Sequence, residues 1–161
     1  MQDFKILNRR VGPKHKPLII VELGINHNGK FSIAKQIIDK AKMAGAEIIK
    51  HQTHLAEFEM SEEAKKIIPV HTKDNIFKII SDCSLSEGDE IKLKQYIQKK
   101  KMIFISTPFS REASNRLNKM KVPAFKIGSG ECNNYPLIEH ICKFNKPIIL
   151  STGMNDIPQI K

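Results

Sequence analysis

The sequence predicts an α/β fold in which a parallel β-sheet is covered by helices. Three observations support this fold class. Short apolar runs alternate with amphipathic stretches, so the elements follow one another as β-α-β-α. The apolar runs are hydrophobic on both faces, which is typical of strands inside a parallel sheet. Between them, apolar residues recur at helical spacing, as Ile33, Ile37 and Ala41 do.

These patterns predict five core strands and the helices that connect them. Ser86 marks a helix start because it precedes an amphipathic stretch, and Gly45 marks a helix end because it follows one. The predicted strands are 18–22, 46–52, 102–106, 123–127 and 147–150. The predicted main helices are 32–44, 86–100, 110–120 and 136–143.

Two parts of the chain depart from this simple alternation. The connection over residues 53–85 is too long for one loop, and we expect a short helix that Ser61 caps and Pro69 ends, followed by a second helix over 73–81. Residues 1–17 are expected to form an arm or hairpin ahead of the first core strand, with Gly12-Pro13 as its turn.

The number of strand–helix units limits the architecture. A closed barrel of such units needs eight strands and typically about 250 residues. The five units of this 161-residue chain fall short of that number. From the residues alone, segment 18–161 therefore forms either an open sheet or part of a barrel.

The composition is that of a globular domain. Hydrophobic residues make up 40% of the chain and charged residues 27%, which excludes an intrinsically disordered protein. The longest apolar runs have four or five residues, whereas a membrane-spanning helix needs about 20. The N-terminal residues carry no export signal, and the three cysteines form no C-x-x-C pair, so a cytoplasmic location is expected.

The charge balance points to an anionic partner. With 27 Lys and Arg against 17 Asp and Glu, the formal net charge is +10, which suits either nucleic acid or a small phosphate or carboxylate. Nucleic acid is the weaker alternative, because aromatic residues amount to 6%, Trp is absent, and no zinc, helix-turn-helix or RNA-recognition motif is present.

Polar side chains end all five predicted strands. In a parallel sheet these carboxyl ends meet at one edge, where ligands bind. The residues at this edge are Glu22, Lys50, Gln52, Ser106, Thr107, Lys126, Ser129, Glu131, Ser151 and Thr152.

Two lysines make an anion site the favoured interpretation of this edge. Lys50 and Lys126 each lie between apolar neighbours and would lose hydration unless an anion compensated for it. Ser129, Ser151 and Thr107 could add neutral donors. In the structural alternative, each lysine pairs with a nearby carboxylate. Glu22 and Glu131 could bind hydroxyls or move a proton, or could instead pair with the lysines.

The histidines give no metal motif. His51 and His54 are three residues apart on or just after a strand, so they point to opposite faces and make a poor pair of ligands. His27 lies in a glycine-flanked loop, where it could touch a substrate, although a structural hydrogen bond is the commoner role.

At these same residues the chain resembles the bacterial N-acetylneuraminate (sialic acid) synthases. Five segments match that family's motifs in order along nearly the whole chain, which makes coincidence improbable. The matching segments are Glu22–Gly29, Lys50–His54, Ile105–Arg111, Phe125–Pro136 and Leu150–Asn155.

The resemblance implies a (β/α)8 barrel of TIM type, here truncated to about five βα units. It also implies a transferase of carbohydrate biosynthesis that condenses phosphoenolpyruvate with N-acetylmannosamine, with a divalent metal, Mn²⁺ or Mg²⁺, as cofactor. By motif position, the residues implied to bind phosphoenolpyruvate are Lys50, Thr107, Lys126, Ser129 and Ser151. Those implied to contact the sugar or assist proton transfer are Glu22, Gln52 and Glu131.

Departures from the family pattern suggest an N-terminal fragment or a truncated gene product. Similar proteins carry two metal-binding histidines on later strands, then an antifreeze-like domain that reaches into the partner subunit of a homodimer. Neither feature follows in this sequence, and Pro69-Val70-His71 replaces the family's usual Pro-Gly-Asn. The isolated chain is therefore expected to lack the metal ligands and to be inactive.

Two alternative functions stay open on the sequence. The first is a synthase for a related nine-carbon acid, legionaminic or pseudaminic acid, although the segment Lys50–His54 favours the neuraminate group. The second is a non-catalytic anion-binding remnant.

Overall fold

A five-stranded parallel sheet organises the molecule, as the computed structural model describes it for residues 3–160. The strands lie side by side in chain order, and each neighbouring pair is parallel. They are β3 (Ile20–Gly24), β4 (Ile48–Thr53), β5 (Ile103–Pro108), β6 (Phe125–Ile127) and β7 (Ile148–Leu150). The predicted α/β class with a parallel sheet is confirmed.

Helices connect successive strands. Side-chain caps set several of their starts: Ser86 accepts the Asp89 N–H at 3.1 Å, and Ser110 accepts the Ala113 N–H at 3.1 Å. The main helices are α1 (Phe31–Met43), α4 (Glu87–Lys99), α5 (Arg111–Lys119) and α6 (Tyr135–Cys142), and α7 (Ile157–Ile160) follows β7. No helix within residues 3–160 is long and apolar enough to span a bilayer.

The connection between β4 and α4 differs from the prediction. It contains α2 (Ala56–Glu59), a single 3-10 turn (Ala64–Lys66) and α3 (Ile76–Cys83). Ser61 does cap, accepting the Ala64 N–H at 3.2 Å, but only this turn follows it, so the helix expected up to Pro69 is wrong. The second helix begins later than predicted because the Asn75 side chain accepts the Lys78 N–H at 2.8 Å.

An antiparallel hairpin precedes the sheet. Its strands are β1 (Phe4–Ile6) and β2 (Arg9–Val11), and Ile6 pairs with Arg9, so the turn lies at Leu7-Asn8 and not at Gly12-Pro13 as predicted. Arg9 fastens the hairpin to the sheet through a 2.7 Å bond from Nε to the Glu47 carboxylate. Ile6 is fully buried.

Side chains alternate between the two faces of the sheet. The outer face packs against the helices, with Ile49, Phe104 and Phe125 in the larger core cluster. The inner face carries a smaller apolar cluster formed by Ile6, Ile48, Ile105 and Ala124. The inner cluster lies below the next inward-facing positions of β4 and β6, which are Lys50 and Lys126.

Candidate functional site

The inner face of the sheet brings the predicted site residues of three strands together. On β3 and β4, Glu22 lies opposite Lys50 in the parallel register. On β4 and β5, Gln52 lies opposite Thr107. Because side chains alternate along a strand, these residues share the face of Ile48 and Ile105 and lie above them toward the carboxyl ends. The sequence prediction of a polar rim at these ends agrees with the structure.

Glu22 and Lys50 form an ion pair in this rim. The Lys50 side chain is only 13% exposed, whereas that of Glu22 is 47% exposed. Gly24 makes room for the carboxylate, because a Cβ built on it would lie 3.2 Å from Glu22 Oε1 and 3.8 Å from Gln52 Cδ. Its backbone also adopts a left-handed φ of +52°, which a side chain would strain. For Lys50, the structural alternative of a paired lysine therefore holds.

Lys126 has a different environment. Its ammonium donates to the Ile127 carbonyl, and within residues 3–160 no carboxylate forms a salt bridge with it. Burial lowers the pKa of Lys126, and the positive charge of nearby Lys50 lowers it further, while Glu22 acts in the opposite direction. Two cations thus share one rim, where the Glu22 carboxylate pairs with Lys50 and, among residues 3–160, not with Lys126.

Neutral donors surround the two lysines. The Thr107 hydroxyl is buried and has no hydrogen-bond partner among residues 3–160, which is costly unless a ligand or water supplies one. Ser151 follows β7, and its N–H donates to the Ile127 carbonyl at 3.0 Å, next to Lys126. Ser129 begins the 3-10 turn Ser129–Glu131 after β6. These three residues lie at the same end of the sheet as the lysines.

Glu131 lies at the side of the rim. Its carboxylate accepts a 2.7 Å bond from Asn134 Nδ2. It lines a cleft of about 310 Å³ together with Glu59, Phe109 and Arg111. Asn134 lines the same cleft, so Glu131 borders a space large enough for part of a sugar next to its hydrogen bond with Asn134.

His54 is a site residue that the sequence analysis missed. Its Nδ1 lies 3.0 Å from each carboxylate oxygen of Glu59, and its Nε2 lies 3.2 Å from Gln52 Oε1. The ring also stacks on Phe109 at a centroid distance of 4.2 Å. His54 therefore holds the Gln52 amide in place. Its position two residues after Gln52, on the same side of the strand, was the signal that could have identified it.

His27 and His51 lie behind the sheet and not at the rim. His27 is fully buried, and its Nε2 lies 3.1 Å from His51 Nε2. The first βα loop therefore turns its histidine away from the inner face.

The described residues do not form a metal site. Within residues 3–160, no group of three His, Cys, Asp or Glu side chains is arranged to hold a metal ion. The divalent metal implied by the resemblance does not fit this set of residues, and the chemistry below involves only the chain's own side chains.

Comparison with protein families identifies the chain. The NeuB family profile matches residues 37–161, more than three quarters of the sequence. The chain belongs to the NeuB family. The resemblance to sialic acid synthases is therefore confirmed at the level of the family.

Relatives within this group carry different names. The chain is 41% identical over 160 residues to an uncharacterized protein of Methanocaldococcus jannaschii, covering 99% of this chain and 44% of that protein. It is 37% identical over 151 residues to the N,N'-diacetyllegionaminic acid synthase of Campylobacter jejuni, covering 91% and 45%. The NeuB-family chain thus spans less than half the length of these curated relatives.

A solved structure extends the comparison to the fold. The N-acetylneuraminic acid synthetase of Leptospira borgpetersenii, crystallised in complex with citrate, superposes with a TM-score of 0.85 at 28% identity. The match covers 99% of this chain and 52% of that one. The prediction of a partial TIM-type barrel is confirmed by this similarity together with the parallel sheet.

Proposed function

We propose that this NeuB-family chain supplies the phosphoenolpyruvate-binding part of a sialic acid synthase. The observation that carries the proposal is the pair of neighbouring lysines on the inner face, of which only Lys50 has a carboxylate partner among residues 3–160. Phosphoenolpyruvate bears both a carboxylate and a phosphate, so it offers one anionic group for each lysine. Family membership supports the same substrate class.

In this proposal one set of side chains binds the anion and another set contacts the sugar. Lys50 and Lys126 bind the charged groups of phosphoenolpyruvate, and the unpartnered Thr107 hydroxyl donates to one of their oxygens. Ser129 and Ser151 complete the anion site. Glu22, Gln52 and Glu131 face the sugar, with the Gln52 amide held by His54.

The proposed reaction joins two carbon atoms and releases phosphate. C3 of phosphoenolpyruvate attacks the aldehyde carbon of open-chain N-acetylmannosamine, and water adds at C2. The resulting tetrahedral centre collapses with cleavage of its carbon–oxygen bond to phosphate. The attacking water loses a proton, which Glu22 or Glu131, both carboxylates at the rim, can accept, and the former aldehyde oxygen takes up a proton to become a hydroxyl. The remaining hydroxyl proton of the tetrahedral centre leaves with the phosphate.

The first test measures phosphoenolpyruvate binding by the 161-residue chain. We expect Lys126→Met to weaken binding by about tenfold or more, because a hydrogen bond to a charged group contributes roughly 1.5–3 kcal/mol. Isothermal titration calorimetry gives the dissociation constant. Lys94→Met is the matched control, since burial also lowers the pKa of Lys94 but this lysine lies on α4, in the outer layer.

Two results would contradict the proposal. Equal affinity of Lys126→Met and the unchanged chain for phosphoenolpyruvate would show that Lys126 does not bind it. Binding of phosphoenolpyruvate no tighter than that of inorganic phosphate would show that the rim does not recognise the whole substrate.

A synthase for legionaminic acid is the second candidate, favoured by the 37% identity to the Campylobacter jejuni enzyme. The two candidates share phosphoenolpyruvate and differ in the sugar. Phosphate release by the complete synthase with each sugar separates them. The 161-residue chain alone should show no turnover with N-acetylmannosamine and Mn²⁺, because residues 3–160 contain no metal-binding cluster.

A further inference from the structure

A fully buried polar cluster lies behind the anion site, on the outer face of the sheet. It joins the first βα loop to β4, β5 and α4, and each member is at most 1% exposed. Because His51 and Thr53 alternate with Lys50 and Gln52 along β4, the cluster lies back to back with the site. The remaining members are His27, Ser106 and Glu90.

Glu90 of α4 supplies the carboxyl group of this cluster. Its Oε1 lies 3.2 Å from His51 Nδ1 and accepts the Thr53 hydroxyl. The Thr53 and Ser106 hydroxyls are 2.7 Å apart. Arg116 of α5 provides a compensating cation, with its Nη1 3.5 Å from Glu90 Oε2. A buried carboxylate needs such donors and such a cation to stay ionised.

From the contacts of the two histidines we infer one arrangement of their protons. The Gly29 N–H donates to His27 Nδ1 at 3.2 Å, so this nitrogen carries no proton. A neutral imidazole then carries its proton on Nε2, which faces His51 Nε2 at 3.1 Å. His51 Nε2 must accept, so the proton of His51 lies on Nδ1 and is donated to Glu90. The result is a chain of hydrogen bonds in which every donor points the same way, from His27 in the first βα loop through His51 to Glu90 of α4.

The chain of hydrogen bonds from His27 to Glu90 has a defined position relative to the anion site. The register of β3 against β4 shifts between Glu22 and Gly24, and Gly24 lies opposite His51. Glu22 and Lys50 therefore lie at the point where the loop leaves the sheet. The His27–His51 bond is a side-chain link between that loop and the back of β4.

We propose that His27 and His51 are positioning residues, whose single oriented hydrogen bond holds Glu22 and Lys50 in register for anion binding. The inference rests on the proposed function in so far as the anion is phosphoenolpyruvate. Neither histidine contacts the ligand; both act through the backbone of the loop and of β4.

The test compares two variants at one position. In His27→Asn, the shorter amide can still accept the Gly29 N–H but cannot reach His51. In His27→Gln, the longer amide nitrogen can donate to His51 Nε2. We expect His27→Asn to weaken phosphoenolpyruvate binding about tenfold, and His27→Gln to restore it to within about threefold of the unchanged chain, by calorimetry.

A spectroscopic measurement reports the hydrogen bond directly. Long-range ¹H–¹⁵N spectra of the histidine-labelled chain should show His27 protonated on Nε2 and His51 on Nδ1 at neutral pH. In His27→Asn, the ¹⁵N shift of His51 Nε2 should change because this nitrogen no longer accepts the His27 proton, while His51 stays protonated on Nδ1 toward Glu90. The opposite tautomers, or a charged imidazolium, in the unchanged chain would overturn the inference even if His27→Asn failed to fold.

A third measurement is independent of phosphoenolpyruvate. The rate at which acetic anhydride acylates Lys50, followed by mass spectrometry, should rise in His27→Asn because the ion pair with Glu22 loosens, while exposed Lys42 serves as the internal reference. An unchanged Lys50 rate would refute the positioning role. If the unchanged chain did not bind phosphoenolpyruvate, the proposed function would fail while this rate still decided the role of His27.

Discussion

At the scale of single residues, a buried imidazole makes stability depend on pH. Burial, with a smaller contribution from His51, lowers the pKa of His27 from 6.5 to about 4. Between these values the unfolded chain binds a proton that the folded chain does not. The free energy of unfolding should therefore keep its maximum value above pH 6.5 and fall by up to about 3 kcal/mol as the pH drops to 4.

Urea unfolding at pH 7.5, 6, 5 and 4 measures this dependence. His27→Gln is the control, because glutamine does not titrate and keeps a donor toward His51. The difference in unfolding free energy between the two proteins should shrink or reverse toward acid. Parallel pH profiles for both would show that His27 does not set the acid sensitivity.

The sequence indicated where the rim residues lie better than it indicated which side chains contact them. The predicted parallel sheet placed Lys50, Gln52 and Lys126 at one edge, because the carboxyl ends of parallel strands meet there. It did not reveal the role of Glu90, since a glutamate on an amphipathic helix normally lies in solvent. Only the packing of α4 on β4 places this carboxylate against His51 and Thr53.

At the scale of secondary-structure elements, the hairpin shows where local reasoning failed. Gly12-Pro13 has strong turn chemistry, yet the chain reverses at Leu7-Asn8, with Leu7 in a left-handed conformation at φ 53°. The burial of Ile6 against the sheet decides the register, because a shift by one residue would turn that side chain to solvent. Tertiary packing therefore outweighed turn propensity.

This packing leads to a prediction for the hairpin. Ile6→Ala should lower the free energy of unfolding by roughly 2–5 kcal/mol, because it leaves a cavity against Ile48, Ile105 and Ala124. Leu7→Ala, at a neighbouring position that is 60% exposed, should change it by less than about 0.5 kcal/mol. Equal effects of the two substitutions in chemical denaturation would show that the hairpin does not dock.

Strand boundaries were predicted to within two residues, with a consistent error. The predictions began at Leu18, Ala46, Met102, Pro123 and Pro147. These residues are apolar but precede the ladder, and strands begin only where a neighbour offers hydrogen-bond partners. The hydrophobic pattern of a segment indicates whether its side chains are buried. Whether its backbone is hydrogen-bonded as a strand depends on where the adjacent strand lies.

At the scale of the whole molecule, the five-stranded sheet has two open edges, β3 and β7. Apolar residues are exposed at both: Ile19 just before β3 is 56% exposed and Leu150 is 44% exposed. Unpaired edges with exposed apolar residues promote association. We expect the 161-residue chain to self-associate, with a weight-average mass that rises with concentration in sedimentation experiments.

Substitutions can distinguish association through the sheet edges from nonspecific association through exposed apolar residues. Ile19→Lys together with Leu150→Lys should shift association to at least about tenfold higher concentration, because charged edges resist pairing. Val70→Lys is the matched control, since Val70 is 93% exposed but lies in the loop before α3. A monomer at all concentrations, or an equal effect of Val70→Lys, would contradict association through the edges.

The side-by-side order of the strands agrees with the barrel that the family resemblance implies, whereas right-handed crossovers alone also permit sheets whose strand order reverses. The residues alone did not decide between an open sheet and part of a barrel. That distinction depends on strand tilt and curvature, which no local pattern encodes. The family resemblance supplied it, and the TM-score of 0.85 to the Leptospira protein supports it.

Ile6 and the apolar cluster around it close the sheet's inner face from below. These apolar side chains offer no hydrogen bonds to water, so an anion that binds Lys50 and Lys126 exchanges its hydration for theirs on the carboxyl-end side of the sheet.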